Sequence, residues 1–199
     1  MVSPSNATAE GPDAYATSFM VEALPIGGHD GRVARYVALL RAVNLGSTNK
    51  VSMAELRALL ESLGLSDVRT LLTSGNAAFT SPRKVTPARL ESAICDRFGI
   101  DTAVMVRTTA ELRRIVENNP FTAADPARVH VGFMERKPPS VTLDLERFLP
   151  EECVVAGREV YFHLPNGMGN TKLHAYVNKQ LKVPMTVRTL GTVTKLASA

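Results

Sequence analysis

Two short polar runs hold the residues of this sequence best suited to bind something. Arg41, Asn44, Asn49 and Lys50 close an apolar run at Tyr36–Val43, and Ser74, Gly75 and Asn76 separate two runs rich in branched and aromatic residues. A lysine and an arginine beside the free amides of a helix start make a seat for an anion or a carbonyl group. Turn chemistry alone also calls for most of these residues, because glycine, asparagine and serine supply the backbone angles that tight turns need. Neither run offers a carboxylate or a histidine for proton transfer, so the group supports binding and names no reaction.

A second candidate for anion binding is Gly167, Gly169, Asn170, Thr171 and Lys172, which lead from a strand-like run into a helix-like one. A glycine-rich loop at a helix start can cradle phosphate through its backbone. Its spacing does not fit the phosphate loop G-x-x-x-x-G-K-[ST], and no G-x-G-x-x-G fingerprint is present, so a plain glycine turn stands beside that reading. His130, His163 and His174 are singletons without ligand spacing, which predicts no metal site. Cys95 reads as partly buried helix filler, and it lies too far from Cys153 in sequence to suggest a disulfide framework. Tyr161 could stack a base, as aromatic residues do in RNA-recognition domains, or pack against the connector or the other half.

The elements that must position these groups follow from periodicity. Tyr36–Val43 is apolar enough for a central strand. Ser52 and Glu55 form an S-x-x-E capping box ahead of Leu56, Leu59, Leu60 and Leu63, and Gly64 ends that helix. Val68–Ser74 and Asn76–Ser81 read as strands joined by a hairpin turn at Gly75-Asn76. Thr86-Pro87 starts a second helix that ends at Gly99, and Thr102–Arg107 returns as a strand. Thr108 and Glu111 cap a connecting helix that stops at Asn119-Pro120.

The order then recurs: a strand at Val129–Glu135, a short helix at Leu143–Phe148, a hairpin of Glu152–Ala156 and Glu159–Leu164, a helix at Leu173–Leu181 and a strand at Met185–Thr189. The predicted fold is α+β, two tandem ferredoxin-like (β-α-β-β-α-β) α/β plaits with a connecting helix. Its parts are a tail at 1–33, a first domain at 34–108, a connector helix and loop at 109–124 and a second domain at 125–199. In such a unit the loop after the first strand and the turn after the second reach the same end of the sheet, so the two polar runs should share one rim.

Composition bounds the rest. At 45% hydrophobic and 21% charged residues the chain is ordinary globular material, and no apolar run approaches the roughly 18 residues of a membrane span. Few cysteines and no secretory pattern point to a cytoplasmic location. Residues 1–33 are rich in Ser, Pro, Gly and Ala, and before Arg32 they carry Glu10, Asp13, Glu22 and Asp30 without one Lys or Arg. They read as a flexible tail, and they leave the remainder basic. The expected partner is a small anionic or phosphate-containing ligand. Nucleic acid on a basic surface and a protein-interaction module are the alternatives, and no cofactor is assigned.

The segments Leu40–Gly46, Met53–Arg57 and Ser74–Phe79 carry the patterns L-R-x-[IV]-N-[VL]-G, M-x-x-L-R and S-G-N-x-x-F. With these the chain resembles the bacterial domain-of-unknown-function family sixteen-ninety-seven. The likeness continues through Val106–Thr108, Asn118–Phe121 and the glycine-rich segment near Lys172, over about residues 34–196. It implies a compact pair of ferredoxin-like domains in a cytosolic protein and brings no established activity. Two departures stand out: Ala42 occupies a position where glycine is common, and Arg188–Thr194 lacks a tryptophan often found there.

Overall fold

The computed structural model describes residues 33–199, so all of the expected tail but Val33 lies outside the described residues. The first half runs β1 (Ala34–Leu40), α1 (Met53–Ser62), β2 (Ser66–Thr70), β3 (Asn76–Ser81), α2 (Pro87–Phe98) and β4 (Val104–Thr108). Helix α3 (Thr109–Glu117) follows, and then β5 (Val129–Met134), β6 (Glu152–Ala156), β7 (Glu159–His163), α4 (Leu173–Leu181), β8 (Met185–Thr189) and α5 (Leu190–Ala197). The strands make two four-stranded sheets, ordered β2-β3-β1-β4 and β6-β7-β5-β8, with every pairing antiparallel.

Local signals explain the helices. Ser52 Oγ accepts from the Glu55 amide at the start of α1. Thr108 and Glu111 close a full capping box on α3, and Glu111 also lies where a negative charge suits the helix dipole. Pro87 opens α2 and left-handed Gly99 closes it, although the Thr86 hydroxyl makes no capping bond. At α4 the Thr171 hydroxyl accepts from the Leu173 amide.

Alternation along the strands divides the core. Ala38, Leu40, Ala77 and Phe79 face α1 and α2, while Val37 and Leu39 face the other way. That second face shares one core with Val131 and Phe133 of β5, Leu112 and Ile115 of α3 and Val193 and Leu196 of α5. Helix α4 covers the outer face of the second sheet through Leu173, Val177 and Leu181. The two halves therefore meet through a buried apolar layer, the strongest kind of glue available to them.

The structure corrects several expectations. The hairpin turn is not Gly75-Asn76: Asn76 already pairs with Leu39 inside β3, and residues 71–75 form the connection. The cause is the Leu40 amide, which donates to the Gly75 carbonyl and fixes where pairing starts. The helix expected at Leu143–Phe148 shrinks to a single 3-10 turn at Glu146–Phe148, so the second half crosses over without an α-helix there. Its apolar residues Leu143, Leu145 and Phe148 still pack on the α4 core, which is what their periodicity recorded. Cys95 is exposed, not partly buried, and Cys153 is the buried thiol, pushed up to about 11 by burial.

Candidate anion-binding cleft

The polar residues after β1 and after β2 do lie at one end of the first sheet. Asn44, at φ 55°, donates through Nδ2 to the carbonyls of Val51 (3.0 Å) and Thr73 (2.7 Å) and accepts from the Val51 amide (2.9 Å). It ties its own loop to the β2–β3 connection. Asn49, also left-handed, donates to the Ala42 carbonyl. Ala42 itself sits at φ 53°, an angle that glycine would adopt without strain. Gly75 cannot be replaced cheaply: at φ 77° an added Cβ would stand 2.5 Å from Val43 Cγ2 and 2.9 Å from Leu40 Cβ. Lys50 is exposed on the same loop.

Asn76 has a different task from the one its turn-like sequence suggests. It is wholly buried, donates to the Leu71 carbonyl and to Ser74 Oγ, and accepts at 2.6 Å from Nε of Arg188 in β8. Arg188 spends its remaining N–H groups on Thr186 Oγ1, Val187 O, Leu40 O and Ser74 O. Every acceptor is neutral. Burial lowers this guanidinium to about 10, so it stays a cation at neutral pH, and among the described residues no acid pairs with it.

Beside Arg188 opens a cleft of about 340 Å³ between the halves, lined among others by Arg41, Ser74, Met168, His174 and Met185. Arg41 donates Nε to the Met185 carbonyl at 3.3 Å, and its two terminal nitrogens have no partner among the described residues. His174 is held below the usual imidazole range by burial, and then by the nearby charges of Arg41 and His130. Among the described residues no carboxylate lines this cleft.

Of the residues expected at the rim, Arg41 and Ser74 line this cleft, whereas Arg188 and His174, which also line it, belong to the other half and were not among those expected. A signal was present: Val106-Arg107-Thr108 and Val187-Arg188-Thr189 repeat one tripeptide ahead of a helix. Pairing register makes Arg107 and Arg188 counterparts, since Val37 faces Arg107 as Val131 faces Arg188. Of the glycine-rich segment only Met168, between Gly167 and Gly169, lines this cleft; the five residues expected to bind an anion do not. The Thr171 hydroxyl donates to buried Glu151 at 2.7 Å, which occupies that loop with a carboxylate. Lys172 and Asn170 are exposed.

Arg107 lies in a twin arrangement with opposite electrostatics. Its Nε donates to Glu159 at 2.8 Å and its Nη2 to the carbonyl of Met134 at 2.9 Å. The adjoining cleft, about 610 Å³, contains Lys84 and Arg158 but also Glu111 and Glu135. Burial lowers the Arg107 pKa, and Glu159 opposes that shift. Tyr161 is buried and donates to the Ile115 carbonyl of α3, so it packs against the connector helix. Burial pushes its hydroxyl up to about 12. Among the described residues no cluster of three or more His, Cys, Asp or Glu could hold a metal, and no helix is long and apolar enough to cross a membrane.

Together these features define a class, an α+β protein of two antiparallel sheets whose halves grip each other through buried arginines. Within it the chain belongs to the family described as Protein of unknown function (DUF1697), whose model matches residues 33–161. Among solved structures it is similar to the conserved bacterial protein SP0830 from Streptococcus pneumoniae, with a TM-score of 0.62 and 26% sequence identity, over 84% of this chain and 98% of that one. No curated protein matches the chain.

Proposed function

We propose that this is a two-plait, ferredoxin-like protein that binds a small anion in the cleft beside Arg188. The observation that carries the reading is the charge of the lining: Arg41 and Arg188 converge there beside His174, whose neutral ring burial favours, and among the described residues no carboxylate lines the cleft. The twin cleft, built on equivalent strands, balances its cations with Glu111 and Glu135. A buried cation that has only neutral acceptors keeps its field.

Arg188 has no N–H left to give, so it contributes potential, while Arg41 supplies the free donors. Arg41 and Ser74 of the expected rim serve the ligand directly; Gly75 and Asn76 form the support beneath; Asn44 and Asn49 shape the loop. Lys50 and the Gly167, Gly169, Asn170, Thr171, Lys172 group lie further out. Binding of nucleic acid by the basic surface keeps only the net charge in its favour, because Tyr161 is buried and has no face to offer a base.

Thermal shift against inorganic phosphate, phosphate monoesters and small carboxylates tests the reading. At least one class should raise the melting temperature of the native protein and of an Arg158→Ala variant, and lose that effect in Arg41→Ala. Equal responses in all three proteins would count against the cleft.

A further inference from the structure

The walls of the same cleft say more about its ligand than its charge does. Apart from Arg41, Ser74, His174, Thr186 and Arg188, the residues that line it are all apolar: Leu40, Ala42, Val43, Leu45, Met168, Met185 and Val187. Thr186 already donates to the Leu40 carbonyl, and Arg188 has no unused donor. Ser74 and His174 remain, too few for the hydroxyl groups of a sugar phosphate or nucleotide, most of which would press against carbon and be left short of partners. An apolar body would instead exchange water for these walls, with two methionine side chains that adapt to its shape.

Leu45 is the most telling of these residues. It is 63% exposed although it borders the cleft, on a loop whose base is held by Asn44 and Asn49. An exposed leucine at the lip of a charged cleft costs the free protein solvation and gains contact once an apolar group lies beneath it. Arg41 presents a planar pair of free nitrogens, the geometry that a carboxylate meets with two parallel hydrogen bonds.

Resting on the anion-binding reading, we infer that the ligand is an organic acid: one carboxylate on Arg41 and a short apolar chain or ring lying on Met168, Met185 and Val187 under Leu45. The cleft volume, about 340 Å³, falls at the small end of ligand sites, which fits a free acid of modest size.

Isothermal titration of the full chain with acetate, butanoate, hexanoate and octanoate, beside inorganic phosphate and ribose 5-phosphate, tests this. Affinity should rise about three- to fourfold for each added methylene until the cleft is full. Arg41→Ala should weaken every acid by tenfold or more, and Leu45→Ser should flatten the dependence on chain length. Leu72→Ser, which alters an exposed leucine on the neighbouring connection, should keep both trends.

Arg41-dependent binding of phosphate or ribose 5-phosphate with no gain along the acid series would overturn the organic-acid inference and leave the anion reading standing. Absence of Arg41-dependent binding by any compound would overturn both. A last arm offers phosphatidylglycerol vesicles by co-sedimentation: capture that needs Arg41 and Leu45, without any response to free acids, would assign the anion to a lipid surface and contradict the inference.

Discussion

Arg107 and Arg188 occupy equivalent strands, reach across to the opposite half and grip equivalent backbone, yet only one of them meets an acid. Arg107 reaches the end of β5 and finds Glu159; Arg188 reaches the end of β1 and finds Asn76. Register makes Glu159 and Asn76 counterparts, because Phe133 faces the first as Leu39 faces the second. The same contrast continues outward, where Glu135 follows β5 and Arg41 follows β1. One clamp is electrically closed and the other is left positive. The lesson is that two halves with matching register can grip each other through the same kind of contact while only one of the two buried cations is paired with an acid.

The largest effect should come from the closed clamp. Glu159→Ala leaves the buried Arg107 guanidinium without its acid, at a cost of about 3–5 kcal/mol in urea unfolding. Glu159→Gln should cost less than half as much, since its amide oxygen can accept from Arg107 Nε as Asn76 does from Arg188. Equal losses from the two variants would break the comparison. At the open clamp Asn76→Ala strands Arg188 Nε and the Leu71 carbonyl, for about 1–3 kcal/mol by the same measurement.

A smaller effect separates the halves by pH. His130 is buried, its Nδ1 has no partner among the described residues, and burial holds it below the usual imidazole range. The unfolded chain therefore takes up the proton first, so stability is full above the unfolded value of about 6.5 and falls as the pH drops below it. The first half has Tyr36 at the corresponding register, and its share of this acid sensitivity is absent at that position. His130→Gln should lessen the fall in melting temperature between pH 7 and pH 5, and an unchanged fall would assign it elsewhere. Smallest of all, Glu61→Gln, which breaks the exposed pair with Arg57, should change stability by less than about 0.5 kcal/mol.

Much of this arrangement was legible in the sequence, for physical reasons that also mark where legibility ends. Local signals reported local structure: Ser52 and Glu55, Thr108 and Glu111, and Gly99 each announced a helix end that the structure contains. Chain order alone placed Asn44 beside the β2–β3 connection. The helix expected at Leu143–Phe148 failed because its apolar residues needed only to reach the α4 core, which a 3-10 turn achieves. Asn76 looked like a turn residue because its type suits turns, whereas its burial depends on Arg188, far along the chain. No local pattern carries such a contact; only the repeated Val-Arg-Thr hinted at it.

The central claim is that an anion enters beside Arg188 and not beside Arg107. Side-chain Nε–Hε resonances of Arg41, Arg188 and Arg107, followed by NMR while hexanoate and, in a second titration, inorganic phosphate are added, address it directly. The account predicts saturable shifts at Arg41 and Arg188 with Arg107 unmoved for at least one of the two anions; shifts confined to Arg107, or none at any of the three with either anion, would contradict it.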